Sequence, residues 1–402
     1  MMSNSTTIRI ASALCCAALA AALTGCAVDG SPVAAEPDVR KLETGTYAVD
    51  RHRYTDTAGE AGALVEGTRM SAAVVPAVKI DPSLSHGRGG TVVPDVAGAL
   101  DFVAHVSKPV LENRKFVTGY AALGSDQADP AGENRPAADA TAVTTAVFRF
   151  PDATAATLAA RELEDVDLAV SPENRKLAST KYPEAYVHWR PNVPTIGAFL
   201  AHEQFVISLF IQRPRADSAD LTAWVDKTLA AELTQLRTFA PTPVEKLDDL
   251  PVDPEGLLAR AVVADRAEME PNQHAFAVYS PSHLVNNADD QTARQRLIES
   301  SGAESIALVD GGSVTRVRDL AGAQALMTGL IDSAGHYDAL PAPTDIPGAK
   351  CLRLNSKGDK DEEYKYRCYV PYKRYLGIVS SDQEPEVRQK ISAQYALLAN
   401  SL

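Results

Sequence analysis

The sequence predicts an α+β protein of two similar repeats, each a mostly antiparallel sheet with helices packed on one face. Three observations support this fold class. Strand-like and helix-like segments follow one another in the same order twice, and a proline-rich stretch separates the two series. Short turns join neighbouring strands, which suits antiparallel pairing. A chain of 402 residues is also long enough for two domains.

The first repeat spans residues 42–240 and contains well-marked elements. TAVTTAVFRF is rich in β-branched and aromatic residues and predicts a strand. PDATAATLAARELEDVDLA predicts a helix with Asp152 in its first turn. AYVHWRP predicts a strand, and TIGAFLAHEQFVISLFIQ a hairpin that turns at 202–204. The repeat ends in a helix with Ser218 as its N-cap and apolar residues three and four positions apart.

The second repeat, residues 257–402, follows the same order. SVTRVR predicts a strand, DLAGAQALMTGLID a helix and AKCLRLN another strand. YKYRCYVPYKRYLGIVSS predicts two strands with a turn near Pro371, and a long helix follows. Upstream, PAVKIDPSL corresponds to AVYSPSHL, and FVTGYAALGSD to ESIALVDGG. Each repeat is thus predicted as strand, helix, two strands, helix, three strands, helix, with residues 241–256, which hold four prolines, as a linker.

Composition excludes one class of partner. Hydrophobic residues make up 45% and charged residues 23% of the chain, as in ordinary globular proteins. The formal net charge is -13 and the pI is near 5.1. Nucleic-acid binding needs a basic surface, so no nucleic-acid partner is expected.

Residues 1–25 have the features of a lipoprotein signal peptide. The apolar run from Ile10 to Leu23 follows a single positive charge and is too short for a permanent membrane helix. LTGC then places Cys26 directly after two small residues and resembles the lipobox of bacterial lipoproteins, in which the cysteine thiol accepts a diacylglyceryl group. The alternative is an ordinary secretory signal with an incidental cysteine. Residues 26–41 predict a flexible tether from this membrane anchor.

The remaining cysteines predict a disulfide. Of five cysteines, two leave with the signal peptide and Cys26 is the lipidation site, which leaves Cys351 and Cys368 in an oxidising compartment. The sequence between them predicts strand, acidic turn and strand. A hairpin closing around 358–360 places the two cysteines opposite each other. Free thiols or a redox pair are the alternatives.

No motif identifies a catalytic site. The sequence contains no Gly-x-Ser-x-Gly, phosphate loop or Gly-x-Gly-x-x-Gly. His202 in HEQFV lacks the second histidine of a zinc protease, and His188 on a predicted strand is better explained by packing than by a pocket. The acidic stretch at 359–363 lacks the spacing of a calcium loop and predicts a solvated hairpin tip. We therefore predict no catalytic residue, no metal site and no cofactor.

The segment EYKYRCYVPYKRY contains the strongest candidates for ligand contact. Tyrosines alternate with cations there, a combination suited to stacking on sugars or gripping anionic head groups. Its candidate residues are Tyr364, Lys365, Tyr366, Arg367, Tyr372 and Arg374. On a strand, Tyr364 and Tyr366 would share one face with Cys368, and the cations the other. The alternative is a strand with a buried aromatic face and a solvated basic face. Arg69 in EGTRMS is a further candidate, with a structural ion pair as its alternative.

Several segments together resemble one protein family. The LTGC junction, LETGTYAVDRHRY, LVEGTRMSAAVVPAVKIDPSL and the cysteine hairpin are similar to a family of cell-envelope lipoproteins of mycobacteria, nocardiae and rhodococci. The resemblance covers essentially the whole mature chain, and it implies no catalytic residues because the family has no established function. The cysteine hairpin is also similar to extracellular sensor-like domains of mycobacterial lipoproteins and receptor kinases.

These features favour a membrane-anchored binding or scaffolding protein outside the cytoplasmic membrane. The expected partners are the membrane, through the diacylglyceryl group, and an envelope lipid, glycan or protein held in a groove between the repeats. One alternative is an envelope-acting hydrolase with unrecognised catalytic residues, and another is a spacer without a ligand. An apolar cavity would favour binding, and a cleft with perturbed carboxylates or histidines would favour catalysis.

Overall fold

The computed structural model describes residues 36–401, and from Val39 onward the chain forms one compact unit. Two seven-stranded antiparallel sheets organise it. The strands of the first sheet are β1 (His86–Val93), β2 (Thr118–Ser125), β3 (Ala142–Arg149), β4 (Arg175–Leu177), β5 (Tyr186–Trp189), β6 (Thr195–His202) and β7 (Phe205–Gln212). The strands of the second are β8 (Phe276–Tyr279), β9 (Ser305–Val309), β10 (Gly312–Arg316), β11 (Tyr337–Leu340), β12 (Lys350–Leu354), β13 (Tyr366–Tyr372) and β14 (Tyr375–Ser381).

The two sheets share one topology. The first has the order β1-β2-β3-β7-β6-β5-β4, and the second, taken from its opposite edge, has the order β8-β9-β10-β14-β13-β12-β11. In both, the last strand of the domain pairs with the third, which closes an antiparallel arrangement without a parallel crossover. The predicted α+β class with two similar antiparallel repeats is confirmed.

One predicted strand is a helix in the structure, and three observed strands were not predicted. PAVKIDPSL, predicted as a strand, contains the short helix Ala77–Ile80 instead. The first strand of the sheet is β1, whose sequence HGRGGTVV carries three glycines and a register shift between Gly87 and Gly90. The edge strands β4 and β11 were not predicted, because their short, largely polar segments give little periodic signal.

Helices cover both faces of each sheet, whereas one face was predicted. The helices are α1 (Gly62–Arg69), α2 (Ala77–Ile80), α3 (Val96–Ala99), α4 (Lys108–Asn113), α5 (Ala153–Leu168), α6 (Ser218–Leu236), α7 (Pro281–Asn286), α8 (Gln291–Ser301), α9 (Leu320–Asp332) and α10 (Glu384–Asn400). Alternate strand residues point to opposite faces, and apolar residues occupy both sets of positions in the central strands. Each sheet therefore has an apolar core on both of its faces.

Within the first domain, α5 and α6 lie on opposite faces of the sheet. Helix α6 packs through Leu221, Val225 and Leu229, which are all fully buried. Helix α5 packs on the other face through Ala159 and Leu163. In the second domain, α10 and α9 take the corresponding places. Both long helices of each domain are thus held by burial of one apolar stripe.

The segment at residues 42–54, assigned from the sequence to the first repeat, packs instead on the second domain. Leu42 belongs to the apolar cluster that contains the α10 side chains Val387 and Ile391. The Tyr47 hydroxyl donates a hydrogen bond to Glu386 on the same helix, over 2.9 Å. The N-terminal segment therefore crosses onto the C-terminal half before the first sheet begins.

The predicted linker, residues 241–256, is also packed. Leu247 and Val252 are buried, and the backbone N–H of Thr242 donates to Glu66 on α1 over 3.0 Å. One apolar cluster also spans both halves, because it includes Tyr279 with residues of the first sheet. The two domains thus share a continuous interior.

Local signals explain where the helices and turns lie. Asp152 caps α5 by accepting a hydrogen bond from the Ala155 backbone N–H at 2.8 Å. The cap of α6 is Asp217, which accepts from the Ala219 N–H at 2.9 Å; the prediction of Ser218 was wrong by one residue. The hairpin turn at 202–204 is confirmed between β6 and β7.

The turn predicted near Pro371 lies slightly further along the chain. Pro371 is still paired with Leu376, and Lys373 and Arg374 form the turn between β13 and β14. Lys373 adopts a left-handed backbone conformation with φ of 49°. On the preceding pair of strands, Cys351 lies directly opposite Cys368. The two form a disulfide with their Cα atoms 4.1 Å apart.

Candidate functional site

On each sheet, the helices leave part of one face uncovered. In the first sheet, five directly paired residues form a row across neighbouring strands, in the order His188, Gly197, Phe210, Thr144 and Leu123. All five line one cleft of 540 Å³. Phe210 is 52% exposed, although it lies on a central strand. A large aromatic side chain left open at this position marks a surface suited to apolar contact.

The second sheet carries a row on the equivalent strands. Its members are Tyr369, Ile378, Ser313 and Leu308, each paired with the next. They line a second cleft of 600 Å³. The sequence of side chains is similar in both rows: a leucine, a hydroxyl residue, then a large apolar residue. The two domains thus present equivalent concave surfaces.

A middle cleft of 580 Å³ joins these two surfaces. It shares Phe102 and Leu123 with the first cleft and His274 and Leu308 with the second. Each row therefore ends, at its leucine, in the same middle cleft. Together the three clefts form one surface that we call the sheet-face groove. It runs from His188 in the first domain to Tyr369 in the second.

His188 lies at the first end of the groove, between two carboxylates. Its Nδ1 is 2.7 Å from Glu164 Oε2, and its Nε2 is 3.6 Å from Asp167 Oδ2. Burial alone acts to lower the pKa of His188, but the hydrogen bond and charge of Glu164 outweigh it and the pKa is raised. Burial raises the pKa of Asp167.

The two carboxylates favour a protonated His188 over the neutral imidazole that a general base requires. Glu164 is 1% exposed, and its Oε1 has no hydrogen-bond partner among the described residues. A carboxylate buried in this way favours the charged imidazole beside it. Across residues 36–401, no hydroxyl or thiol side chain makes a hydrogen bond to His188 that would mark a nucleophile. His188 had been interpreted from the sequence as a packed strand residue, and it both packs and lines the groove.

Gly197 makes the position of this imidazole possible. It is paired with His188 on the neighbouring strand. A Cβ on Gly197 would lie 2.8 Å from His188 Cε1, closer than real Cβ contacts allow. The absence of a side chain therefore lets the ring lie over the sheet and reach Glu164.

The middle cleft contains a neutral histidine. His283 Nδ1 is 3.0 Å from the Tyr120 hydroxyl, and its ring stacks on Tyr279 with centroids 3.9 Å apart. Burial, helped by the charge of His274, lowers the pKa of His283 to about 4. Gln273, which also lines this cleft, has a buried Oε1 without a hydrogen-bond partner in the described chain. Together with Arg88, Asn134 and Asn287, which also line this cleft, these groups give it hydrogen-bonding capacity beside the apolar Phe102, Leu123 and Leu308.

The tyrosine-rich segment divides between the groove and the core. Tyr364 and Arg367 line the second cleft, so Tyr364 does not share the face of Tyr366 as predicted. Tyr366 and Tyr372 are buried with Cys368 in the core beneath α10 and are inaccessible to a ligand.

The remaining predicted contact residues lie outside the clefts or have structural partners. Lys365 is exposed and its ammonium lies 5.4 Å from the centre of the Tyr366 ring. Arg374 forms an ion pair with Glu304 at 2.6 Å. Arg69 forms an ion pair with Glu66, and thus follows the structural alternative considered for it.

Cys26, with the signal peptide and residues 26–35 of the tether, lies outside the described residues. Among residues 36–401, no helix has both the length and the apolar character of a membrane span. The same part of the chain holds no group of three or more histidine, cysteine or acidic side chains placed to bind a metal ion.

Sequence reasoning missed Phe210 and Arg294 of the groove. FVISLFIQ is apolar on both strand faces, and so it carries no local signal that Phe210 is exposed. Arg294 is one of two arginines on the polar helix α8, and only the fold directs it towards the second cleft. Arg367 and Tyr369 are two residues apart on β13 and therefore share the strand face that lines the second cleft.

Fold and groove together define a two-domain mixed α+β protein with an open surface across two antiparallel sheets. Comparison with known families gives a specific assignment. Residues 53–252 match the N-terminal domain of the family described as domain of unknown function DUF7373, and residues 257–401 match its C-terminal domain. The chain therefore belongs to the DUF7373 family.

Other comparisons add little. A solved structure, the extracellular domain of PknH from Mycobacterium tuberculosis, matches with 13% sequence identity and a TM-score of 0.28. The match covers 41% of this chain and 94% of that chain. No curated protein matches the sequence.

Proposed function

We propose that this protein is an exported lipoprotein that binds the acyl chain of an envelope lipid in the sheet-face groove. The observation that carries the proposal is the open row around Phe210, which continues through Leu123 and Leu308 into the second domain. Burial of this apolar surface by a ligand contributes about 25 cal/mol per Å². A long chain suits a surface that extends over both sheets better than a compact solute does.

Export and anchoring are supported by the sequence around Cys26 and by the Cys351–Cys368 disulfide, because disulfides persist in oxidising compartments. Two acyl chains on Cys26 would hold the protein at the outer face of the cytoplasmic membrane, close to the proposed ligand. We expect Cys26→Ala to move the full-length protein from the detergent phase to the aqueous phase when it is expressed in its own host. Retention in the detergent phase would refute the anchor but not the groove.

The hydrolase alternative has less support. Both nitrogens of His188 face carboxylates, which favour its protonated form over the neutral form that a general base needs. The spacer alternative is an outcome of the binding test described next.

Native mass spectrometry of protein gently extracted from its host membrane tests the groove. We expect mass beyond that of a diacylated Cys26, lost on denaturation and matching a lipid. The Phe210→Ser variant should retain less of it, because it removes the exposed aromatic side chain without disturbing the buried core. Leu320→Ser is the matched control, since Leu320 is 46% exposed on the first turn of α9. Equal retention by both variants, or no retained mass in the wild type, would refute lipid binding in the groove.

A further inference from the structure

Two arginines face the second cleft without an acidic partner. Arg294 on α8 and Arg367 on β13 both line this cleft and are half-buried. Within residues 36–401, neither guanidinium has a carboxylate oxygen within 4.0 Å. Arg316 and Arg374 differ, because both pair with Glu304. A cation that is partly removed from water and lacks an ion-pair partner is a favourable place for an anion.

Both cations act on the same neighbour. The charges of Arg367 and Arg294 both oppose the effect of burial, which raises the pKa of the Tyr369 phenol. The Arg367 guanidinium also lies over the Tyr337 ring, 4.8 Å from its centre. Arg294 Nη1 is 3.5 Å from the Leu284 carbonyl oxygen. Both arginines thus line the same cleft as Tyr369, which is the far end of the second row.

The acidic residues that line the cleft do not form ion pairs with these two arginines. The Glu363 carboxylate accepts hydrogen bonds from His336 Nδ1 at 3.3 Å and from the Asp359 N–H at 3.2 Å. Asp289 favours the charged form of Arg294 electrostatically, but the two do not form an ion pair. Burial lowers the pKa of Arg294, although a guanidinium stays charged at physiological pH.

We infer that the second cleft binds the oxyanion headgroup, phosphate or carboxylate, of the ligand whose acyl chain lies along the groove. This inference rests on the proposed function. The planar guanidinium presents paired donors that match two oxygens of such a group. From Tyr369 the row continues through Ile378 to Leu308, so a chain attached to this headgroup is directed into the middle cleft. The second cleft then recognises the charge of the headgroup, and the rest of the groove recognises the length of the acyl chain.

Calorimetric titration of the full chain with three probes tests the inference. Dodecyl phosphate carries the tail and the oxyanion, dodecyl maltoside carries the same tail with a neutral head, and inorganic phosphate carries the anion alone. We expect dodecyl phosphate to bind about tenfold more tightly than the maltoside, since charge-assisted hydrogen bonds contribute on that scale. The double variant Arg294→Gln/Arg367→Gln should lose this difference and keep the maltoside affinity. Arg296→Gln, an exposed position on the same helix, is the control and should behave as wild type.

The possible results separate the two proposals. If both amphiphiles bind with equal affinity in the wild type, the oxyanion site is wrong while the groove proposal stands. If neither amphiphile binds, the groove proposal fails as well. If inorganic phosphate binds as tightly as dodecyl phosphate and depends on the same arginines, the site takes a free anion and the headgroup assignment is wrong.

Discussion

Replacement of Glu232 by glutamine should stabilise the first domain at neutral pH. Glu232 lies on α6 and is fully buried. Its Oε2 accepts a hydrogen bond from the Val75 N–H at 3.0 Å, while Oε1 has no partner within the described chain. Burial raises the pKa of this carboxyl from 4.5 to about 8. In the folded protein at neutral pH, the group therefore stays protonated.

The sign and size of the effect follow from proton binding. The unfolded chain releases this proton above pH 4.5, whereas the folded chain keeps it to about pH 8. The free energy of unfolding is therefore highest below pH 4.5 and falls by about 1.4 kcal/mol per pH unit across this window. From about pH 5 to about pH 7.5, the loss is roughly 3 kcal/mol. Glutamine carries no charge at either pH, and so Glu232→Gln removes this loss while it keeps the acceptor for Val75.

Urea unfolding at the two pH values measures the difference. Trp189 and Trp224 both lie in the first domain, so their fluorescence reports its unfolding. We expect the stability advantage of Glu232→Gln over wild type to grow by roughly 3 kcal/mol between the lower and the higher pH. Glu184→Gln, at an exposed position, should show no such growth. A parallel pH dependence in wild type and Glu232→Gln would refute the assignment of a neutral buried carboxyl.

Two further predictions concern the groove and the disulfide. Gly197→Ala should displace the His188 ring from Glu164, because the new Cβ would lie 2.8 Å from His188 Cε1. An NMR titration should then show a lower pKa for His188 than in the wild type. An unchanged pKa would contradict the packing argument. Gly335→Ala is its control, since a Cβ there meets nothing within 4 Å. Replacing Cys351 and Cys368 by serine opens a loop with a sequence separation of 17 and should lower the free energy of unfolding by about 3 kcal/mol in denaturant titrations. A loss near zero would show that the hairpin is already ordered by its strand pairing.

Much of the fold was predictable because its signals are local. Alternation and β-branched residues marked β3, β6 and β7. Aspartate caps mark helix starts in the same local way, as at α8, where the Asp290 side chain accepts from the Ala293 N–H at 2.8 Å. In contrast, the strand β1 was missed because glycine-rich sequence has weak strand propensity, and this strand forms only when β2 pairs with it.

The candidate site was less predictable because it depends on what covers each sheet. Periodicity shows which residues share a face, but not how far a helix from elsewhere extends over that face. Val206 and Phe210 are on the same face of β7, yet the first is buried under α5 and the second is 52% exposed. The ion pair of Arg69 with Glu66 is different, because it is a local contact between residues three apart on α1.

By itself, the sequence determined the α+β class, the order of most elements and the facing positions of the two cysteines. It also led us to expect export and lipid anchoring at Cys26. These properties depend on neighbouring residues or on spacing along one hairpin. Only the tertiary structure decided that the two sheets share one open groove, that His188 lies between two carboxylates, and that Arg294 and Arg367 line one cleft with Tyr369. These side chains come from elements far apart in the chain, and their proximity is set by packing that no local pattern encodes.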